Sequence, residues 1–141
     1  MTHSILQPVI ALVLWSMVMW AWLYATRVPA MMRARTKLDP TVPRDVMLGG
    51  LPPRVRWKAD NYNHLMEQPT LFYATALTLA LLEQGDALTV GLAWAYVGLR
   101  ILHSLIQALV NVIIVRFSVF MIASGVLVVL AVRAGMAVFQ V

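Results

Sequence analysis

The sequence predicts an all-α integral membrane protein, a bundle of four transmembrane helices, and three observations predict it. Hydrophobic residues make up 61% of the 141 and charged residues 12%, about half the charged share of an ordinary soluble domain, with a mean hydropathy of +0.78. The apolar residues gather into four stretches near 5–24, 61–82, 87–114 and 117–138, each long enough, at about 1.5 Å per residue, to cross a hydrocarbon layer of about 30 Å. Eight of the eleven Lys and Arg residues (Arg27, Arg33, Arg35, Lys37, Arg44, Arg54, Arg56 and Lys58) crowd one interval, the bias expected of a cytoplasmic loop. A single domain over 1–141 uses nearly the whole chain.

The first helix is predicted over about 5–26. Met1-Thr2-His3-Ser4 carries no Lys or Arg and the apolar run exceeds a typical signal core, so a retained helix is expected rather than a cleaved leader. Trp15, Trp20, Trp22 and Tyr24 crowd its middle and far end, as amphipathic rings do near an interface. The loop of about 27–53 holds five of the seven prolines (Pro29, Pro40, Pro43, Pro52, Pro53) and Gly49-Gly50. Those residues break regular structure, and the interval is too short for a separate domain.

The second helix is predicted over about 54–82, started by proline at its first turn and open to a kink at Pro69, which removes a backbone donor. Its first half is polar: Asp60, Asn63, His64 and Glu67, at i, i+3, i+4 and i+7, are expected on one stripe. Glu83-Gln84-Gly85-Asp86 lacks a basic residue and fits the opposite side of the membrane. The third helix, about 87–114, carries Arg100, His103, Gln107 and Asn111 close to one face. A tight connection at Val115-Arg116-Phe117 leads into the fourth, about 117–138, where Ser118, Ser124 and Gly125 are small enough for close helix contact. Both termini then face away from the cytoplasm, and Arg133 reaches the far interface by extending its side chain.

Composition also excludes chemistry. The chain has no cysteine, so it has neither a disulfide framework nor a catalytic thiol of its own, and any sulfur chemistry enters with a ligand. The net charge of +5 lies mostly in one loop, which reads as a topology signal and not as a nucleic-acid surface. His64 and His103 have no HExxH-like spacing, so no metal is expected, and no phosphate loop, nucleophile elbow or Ser/His/Asp set is present.

Glu67 and Arg100 lie inside apolar segments, where a lone charge costs about 2.5 kcal/mol or more. Glu67 is 13 residues beyond Arg54, and His103 and Arg100 are 13 and 16 residues before Arg116, which puts all three about 20 to 24 Å from the cytoplasmic side. Two readings follow: a structural ion pair that fixes helix register, or a ligand site. Arg54, Arg56, Lys58 and Arg116 surround the cytoplasmic mouth as an anion site would, although topology determinants look the same.

These residues resemble the MAPEG family, the membrane-associated proteins in eicosanoid and glutathione metabolism, over nearly the whole chain. The second helix is similar to the family's Arg-Ala-x-x-Asn-x-x-Glu segment followed by proline and Leu-Phe, here Lys58-Ala59, Asn63, Glu67, Pro69 and Leu71-Phe72. The third resembles its Arg-x-x-His pattern as Arg100-Ile101-Leu102-His103, and Arg116 falls where several members place the arginine that holds the glutathione thiolate.

The resemblance implies a homotrimer of four-helix subunits in contact with membrane lipid, with glutathione as co-substrate between neighbours and a hydrophobic small molecule as second substrate. It implies that Glu67 takes the glutathione ammonium, that Asn63 adds a hydrogen bond, and that Arg100 and His103 form the buried network. Arg116 is then the catalytic residue, with Arg56, His64 and Gln107 as further contacts. The chain departs from the pattern in Asn63-x-x-x-Glu67, one residue longer, which leaves His64 to compete for the expected position, and in Gln107, Phe117 and Phe120 where hydroxyl side chains occur. The short chain suggests a bacterial-type, inner-membrane member. The implied activity is conjugation or reduction of hydrophobic electrophiles. The rival expectations are a catalytically silent lipid-binding or complex-stabilising subunit, and a proton-coupled transporter built on Glu67, His103 and Arg100.

Overall fold

The computed structural model describes residues 2–140, and every regular element among them is helical. The elements are α1 (Thr2–Arg33), α2 (Arg44–Leu48), α3 (Pro53–Leu65), α4 (Pro69–Leu81), α5 (Ala87–Leu109) and α6 (Ile113–Phe139). Three of them, α1, α5 and α6, are long and apolar enough to cross a membrane. α1 packs along α3, α4 and α5, while α6 packs on α5 and α4, so α1 and α6 lie diagonally across the bundle.

The packing seam has a strict 4-3 spacing. On α1 the buried positions are Ile5, Val9, Leu12, Ser16, Met19 and Leu23, with Pro8 beside Val9. On α5 they include Thr89, Ala93, Tyr96, Arg100, His103 and Gln107, and on α6 Ala123, Leu127, Leu130 and Ala134. This average period of 3.5 is that of a left-handed bundle, in which side chains of one helix fill gaps in the next. Lipid is as apolar as leucine, so the helices are held by close packing and interhelical hydrogen bonds. Ser16 joins the seam because its hydroxyl donates to the Leu12 carbonyl at 2.9 Å and needs no other partner. The small residues act less uniformly: Ser124 bonds across helices, whereas a Cβ on Gly125 would meet nothing within 4 Å.

Three boundaries differ from the sequence expectation. α1 continues to Arg33, through Pro29, before the chain turns at Arg35 with φ 48°. The second predicted helix is divided at residues 66–68. Pro69 has no N–H for the Leu65 carbonyl, and the ladder tightens to Met66 N–H donating to Asn63 O at 2.9 Å and Leu71 N–H to Gln68 O at 3.0 Å. The third junction lies at Val110-Asn111-Val112, earlier than expected, where Asn111 takes φ 51°, a conformation asparagine tolerates. Arg116 therefore sits in the first turns of α6, its N–H bonded to Val112 O at 3.0 Å, and not in the connection itself.

At the opposite end, Asp86 caps α5 by accepting from Thr89 N–H at 2.9 Å. Arg133 of α6 reaches the same carboxylate at 2.8 Å and the Thr89 hydroxyl at 3.0 Å. Arg133 thus finds a partner in the connection between α4 and α5. These bonds, the one with Thr89 foremost, hold the Asp86 carboxyl below its ordinary range.

Candidate functional site

The polar residues of α5 share one side of that helix because Arg100, His103, Ser104 and Gln107 are spaced i, i+3, i+4 and i+7, and all four are buried, Arg100 and Ser104 fully. α3 and the start of α4 run antiparallel to them in a fixed register. Asn61 Nδ2 donates to Ser104 Oγ at 2.8 Å, Arg100 Nη2 meets His64 Nδ1 at 2.9 Å, and Tyr96 Oη donates to Gln68 Oε1 at 3.3 Å. Gln68 Nε2 extends the ladder to Ser124 Oγ of α6 at 2.7 Å. On α5 the seam is thus polar mainly over the C-terminal half of the helix.

Arg100 has no carboxylate partner among the described residues. Its Nη2 donates both to His64 Nδ1 and to the His64 carbonyl, the latter at 3.0 Å. A guanidinium only donates, so His64 Nδ1 is an acceptor and the ring is neutral, with its proton on Nε2. The carbonyl is open to Arg100 because the helix is interrupted just beyond it: Glu67 N–H lies a long 3.4 Å away. His103 stacks on His64 with ring centroids 4.7 Å apart, and Phe120 of α6 closes the stack edge-on to His64 at 5.2 Å. Arg100 lies 5.7 Å from the same Phe120 ring. Arg100 Nε and Nη1, His103 Nδ1, Gln107 Oε1 and Asn61 Oδ1 are buried without a hydrogen-bond partner. These five atoms lie along one seam.

Arg116 stands one turn before Phe120, on the face of α6 that closes the histidine stack. It is half-buried, and its Nη1 donates to Asn111 Oδ1 at 2.7 Å. Asn111 was expected on the polar face of the third helix; it lies in the turn instead and holds this arginine.

The expected stripe of Asp60, Asn63, His64 and Glu67 divides. His64 turns into the bundle, while Asp60, Asn63 and Glu67, with Arg56 one turn earlier, are exposed on the outer side of α3 and its end. Glu67 does not pair with Arg100, and the ion pair found among the described residues is Arg133 with Asp86. Since His64 is level with Arg100 and Gln68 with Tyr96, Glu67 lies at the level of the middle of α5 and faces outward.

Arg56 and Asn63 also line a cleft of about 330 Å³ between α1, α2 and α3, together with Arg27, Arg44, Asp45 and Asp60. The structure therefore brings the predicted residues together in two groups. His64, Arg100, His103 and Gln107 are internal, with Arg116 beside them. Arg56 and Asn63 belong to the cleft, and Glu67 stands between the two groups. Sequence reasoning missed Asn61, Gln68 and Ser104 and read Ser124 only as a small packing residue; the signal for Ser104 is its place at i+4 from Arg100 and i−3 from Gln107 on the seam. It also left Arg27, Arg44 and Asp45 as plain loop charges. No three His, Asp or Glu side chains gather as a metal site among the described residues.

The family model that matches the sequence is that of the MAPEG family, over residues 5–136. Neither a curated protein nor a solved structure matches the chain at a significant level.

Proposed function

The chain belongs to the MAPEG family and is an integral membrane protein, and we propose that it is a glutathione-dependent transferase or peroxidase acting on hydrophobic electrophiles. The observation that carries this reading is Glu67. A carboxylate exposed at the level of the middle of a membrane-crossing helix is costly in lipid, and it is relieved when a polar ligand or a neighbouring copy covers it. Glutathione, with two carboxylates and one ammonium, suits a surface that offers Glu67 and Asn63 to the ammonium and Arg56 and Arg116 to the anions.

In this reading α3 and α4 together make the fourth membrane crossing. Three copies assemble with the outer side of α3 at their contacts, the interval 27–53 faces the cytoplasm, and both termini face the other side of a bacterial inner membrane. Arg100, His64, His103 and Gln107 form a preorganised cationic floor. Arg116 carries the chemistry: a fixed guanidinium favours the ionised over the protonated thiol, and the ionised form is the nucleophile. The apolar outer faces of the helices admit the second substrate from the bilayer.

Titration calorimetry of the purified, detergent-solubilised protein tests the reading. Glutathione binds at millimolar concentration or tighter, and the Arg116→Ala variant binds more weakly and turns over aryl halides or lipid hydroperoxides more slowly. No heat at several millimolar glutathione would instead favour a silent subunit that keeps the fold.

A further inference from the structure

The cleft between α1, α2 and α3 is lined by three guanidinium groups, from Arg27, Arg44 and Arg56, and two carboxylates, from Asp45 and Asp60. None of the five forms an ion pair within 4.0 Å among the described residues, although opposite charges share one space of about 330 Å³. Arg27 Nε is in addition buried and without a hydrogen-bond partner. Such a lining fits a guest that carries an anion and an ammonium together, since a simple anion would leave the aspartates facing it.

The surroundings indicate where the guest comes from. Trp20, Tyr24 and Arg27 are spaced i, i+4 and i+7 on α1, so they stand in one line. Trp20 and Tyr24 are 43% and 46% exposed and pack on each other at 5.3 Å, forming an apolar track that leads along the helix to the cleft. Beside it, Lys58 Nζ sits 4.9 Å from the centre of the Trp22 ring, an arrangement typical of the headgroup level of a membrane. A small soluble ligand has no use for that track, whereas an acyl chain does.

We propose that this cleft is a phospholipid site that takes a headgroup with a phosphate and a primary ammonium, as in phosphatidylethanolamine: Arg27 and Arg44 bind the phosphate, Asp45 and Asp60 the ammonium, and the acyl chains lie over Tyr24 and Trp20. Arg56 and Asn63 border the same cleft and stay with glutathione, whose reading leaves Arg27, Arg44, Asp45 and Asp60 unassigned; the lipid site is built on these four. α2, which supplies Arg44 and Asp45, buries none of its residues, so these two can be changed without disturbing the core.

Native mass spectrometry of the detergent-purified full chain, titrated with phosphatidylethanolamine, phosphatidylcholine and phosphatidylglycerol of identical acyl chains, tests the site. Phosphatidylethanolamine is retained about tenfold more tightly than phosphatidylcholine, whose quaternary nitrogen has no N–H to give an aspartate. Arg44→Gln lowers retention of all three lipids by about fivefold. Asp45→Asn keeps the phosphate contact and removes most of the discrimination between ethanolamine and choline. Arg54→Gln, outside the cleft, changes neither. Equal retention of the ethanolamine and choline lipids by the unmodified protein would overturn the proposal, as would a preference unaltered by both α2 substitutions. Displacement of the lipid by millimolar glutathione would assign the cleft to the tripeptide and overturn it as well; the Arg116→Ala titration tests the glutathione reading separately.

Discussion

Arg116→Ala is the perturbation whose size follows most directly from the geometry. The guanidinium has five N–H donors, and one of its nitrogens is committed to Asn111 Oδ1 at 2.7 Å, so the group is anchored while most of its donors stay free for an anion. A cation within about 4–6 Å lowers the pKa of a neighbouring acid by about 1–3 units. For a thiol near 8.5, a lowering of about 2 units raises the ionised fraction at pH 7 from about 3% to about 75%, a factor of about 25. The sign is fixed by charge, because the arginine stabilises the ionised form and removing it moves ionisation to higher pH. Arg116→Ala should therefore conjugate an aryl halide about 25-fold more slowly at pH 7, with the deficit shrinking to about fourfold at pH 8 and nearly vanishing by about pH 9, where both proteins hold mostly ionised thiol. Asn111→Ala leaves the charge and frees its position, so it gives a smaller deficit with an inflection between the two. The assay is a spectrophotometric rate profile from about pH 6 to 9.5 at saturating glutathione. A deficit independent of pH would refute this role for Arg116 and reduce it to a binding or packing contact.

Three further outcomes follow. Glu67→Gln weakens glutathione binding by about tenfold in the same calorimetric titration, and it leaves the unfolding temperature of the dissociated subunit unchanged because the carboxylate bonds to nothing within the described chain; unaltered affinity would return Glu67 to a surface role. Phe72→Ala removes a fully buried ring stacked 4.6 Å from Tyr96 and should destabilise by about 3–5 kcal/mol, seen in unfolding by increasing denaturing detergent; a cost under about 1 kcal/mol would mean that the seam collapses around the gap. Asp86 has a depressed carboxyl pKa in the folded chain, so the unfolded chain binds its proton more readily. Its contribution is present above about pH 4 and is lost as pH falls through the lowered folded value. Asp86→Asn should flatten that part of the melting profile, and an unchanged slope would show that another group titrates there.

What the sequence reveals and conceals differs by helix for a physical reason. On α5 the seam is mixed, so the 4-3 spacing of Thr89, Arg100, His103 and Gln107 stands out against an apolar background and is readable directly. On α1 almost every residue is apolar, and nothing in the side-chain chemistry separates Leu12, which packs, from Leu14, which is 61% exposed; only the bundle decides. Helix ends are set by single backbone events. Pro69 is visible in the chain and points to a kink, although not to the full division into two helices. The turn at Asn111 is not, since asparagine can sit within a helix or end one with φ above zero. Arg116 thereby moved from a connection into a helix.

The reading of Glu67 shows the more general limit. A sequence read alone places each buried charge against the nearest opposite charge in the same chain, and by depth that pairing with Arg100 was sound. Depth follows from residue count, but direction around a helix axis turns by about 100° per residue, and the tightened ladder at residues 66–68 leaves His64 facing inward and Glu67 outward. Two opposite charges at one level, one buried without a carboxylate and one exposed without a cation, make no sense as the design of an isolated subunit. They do make sense where a neighbouring copy and a zwitterionic ligand complete the site, because the helix interruption then serves to present the carboxylate across a subunit contact while keeping the guanidinium beneath it.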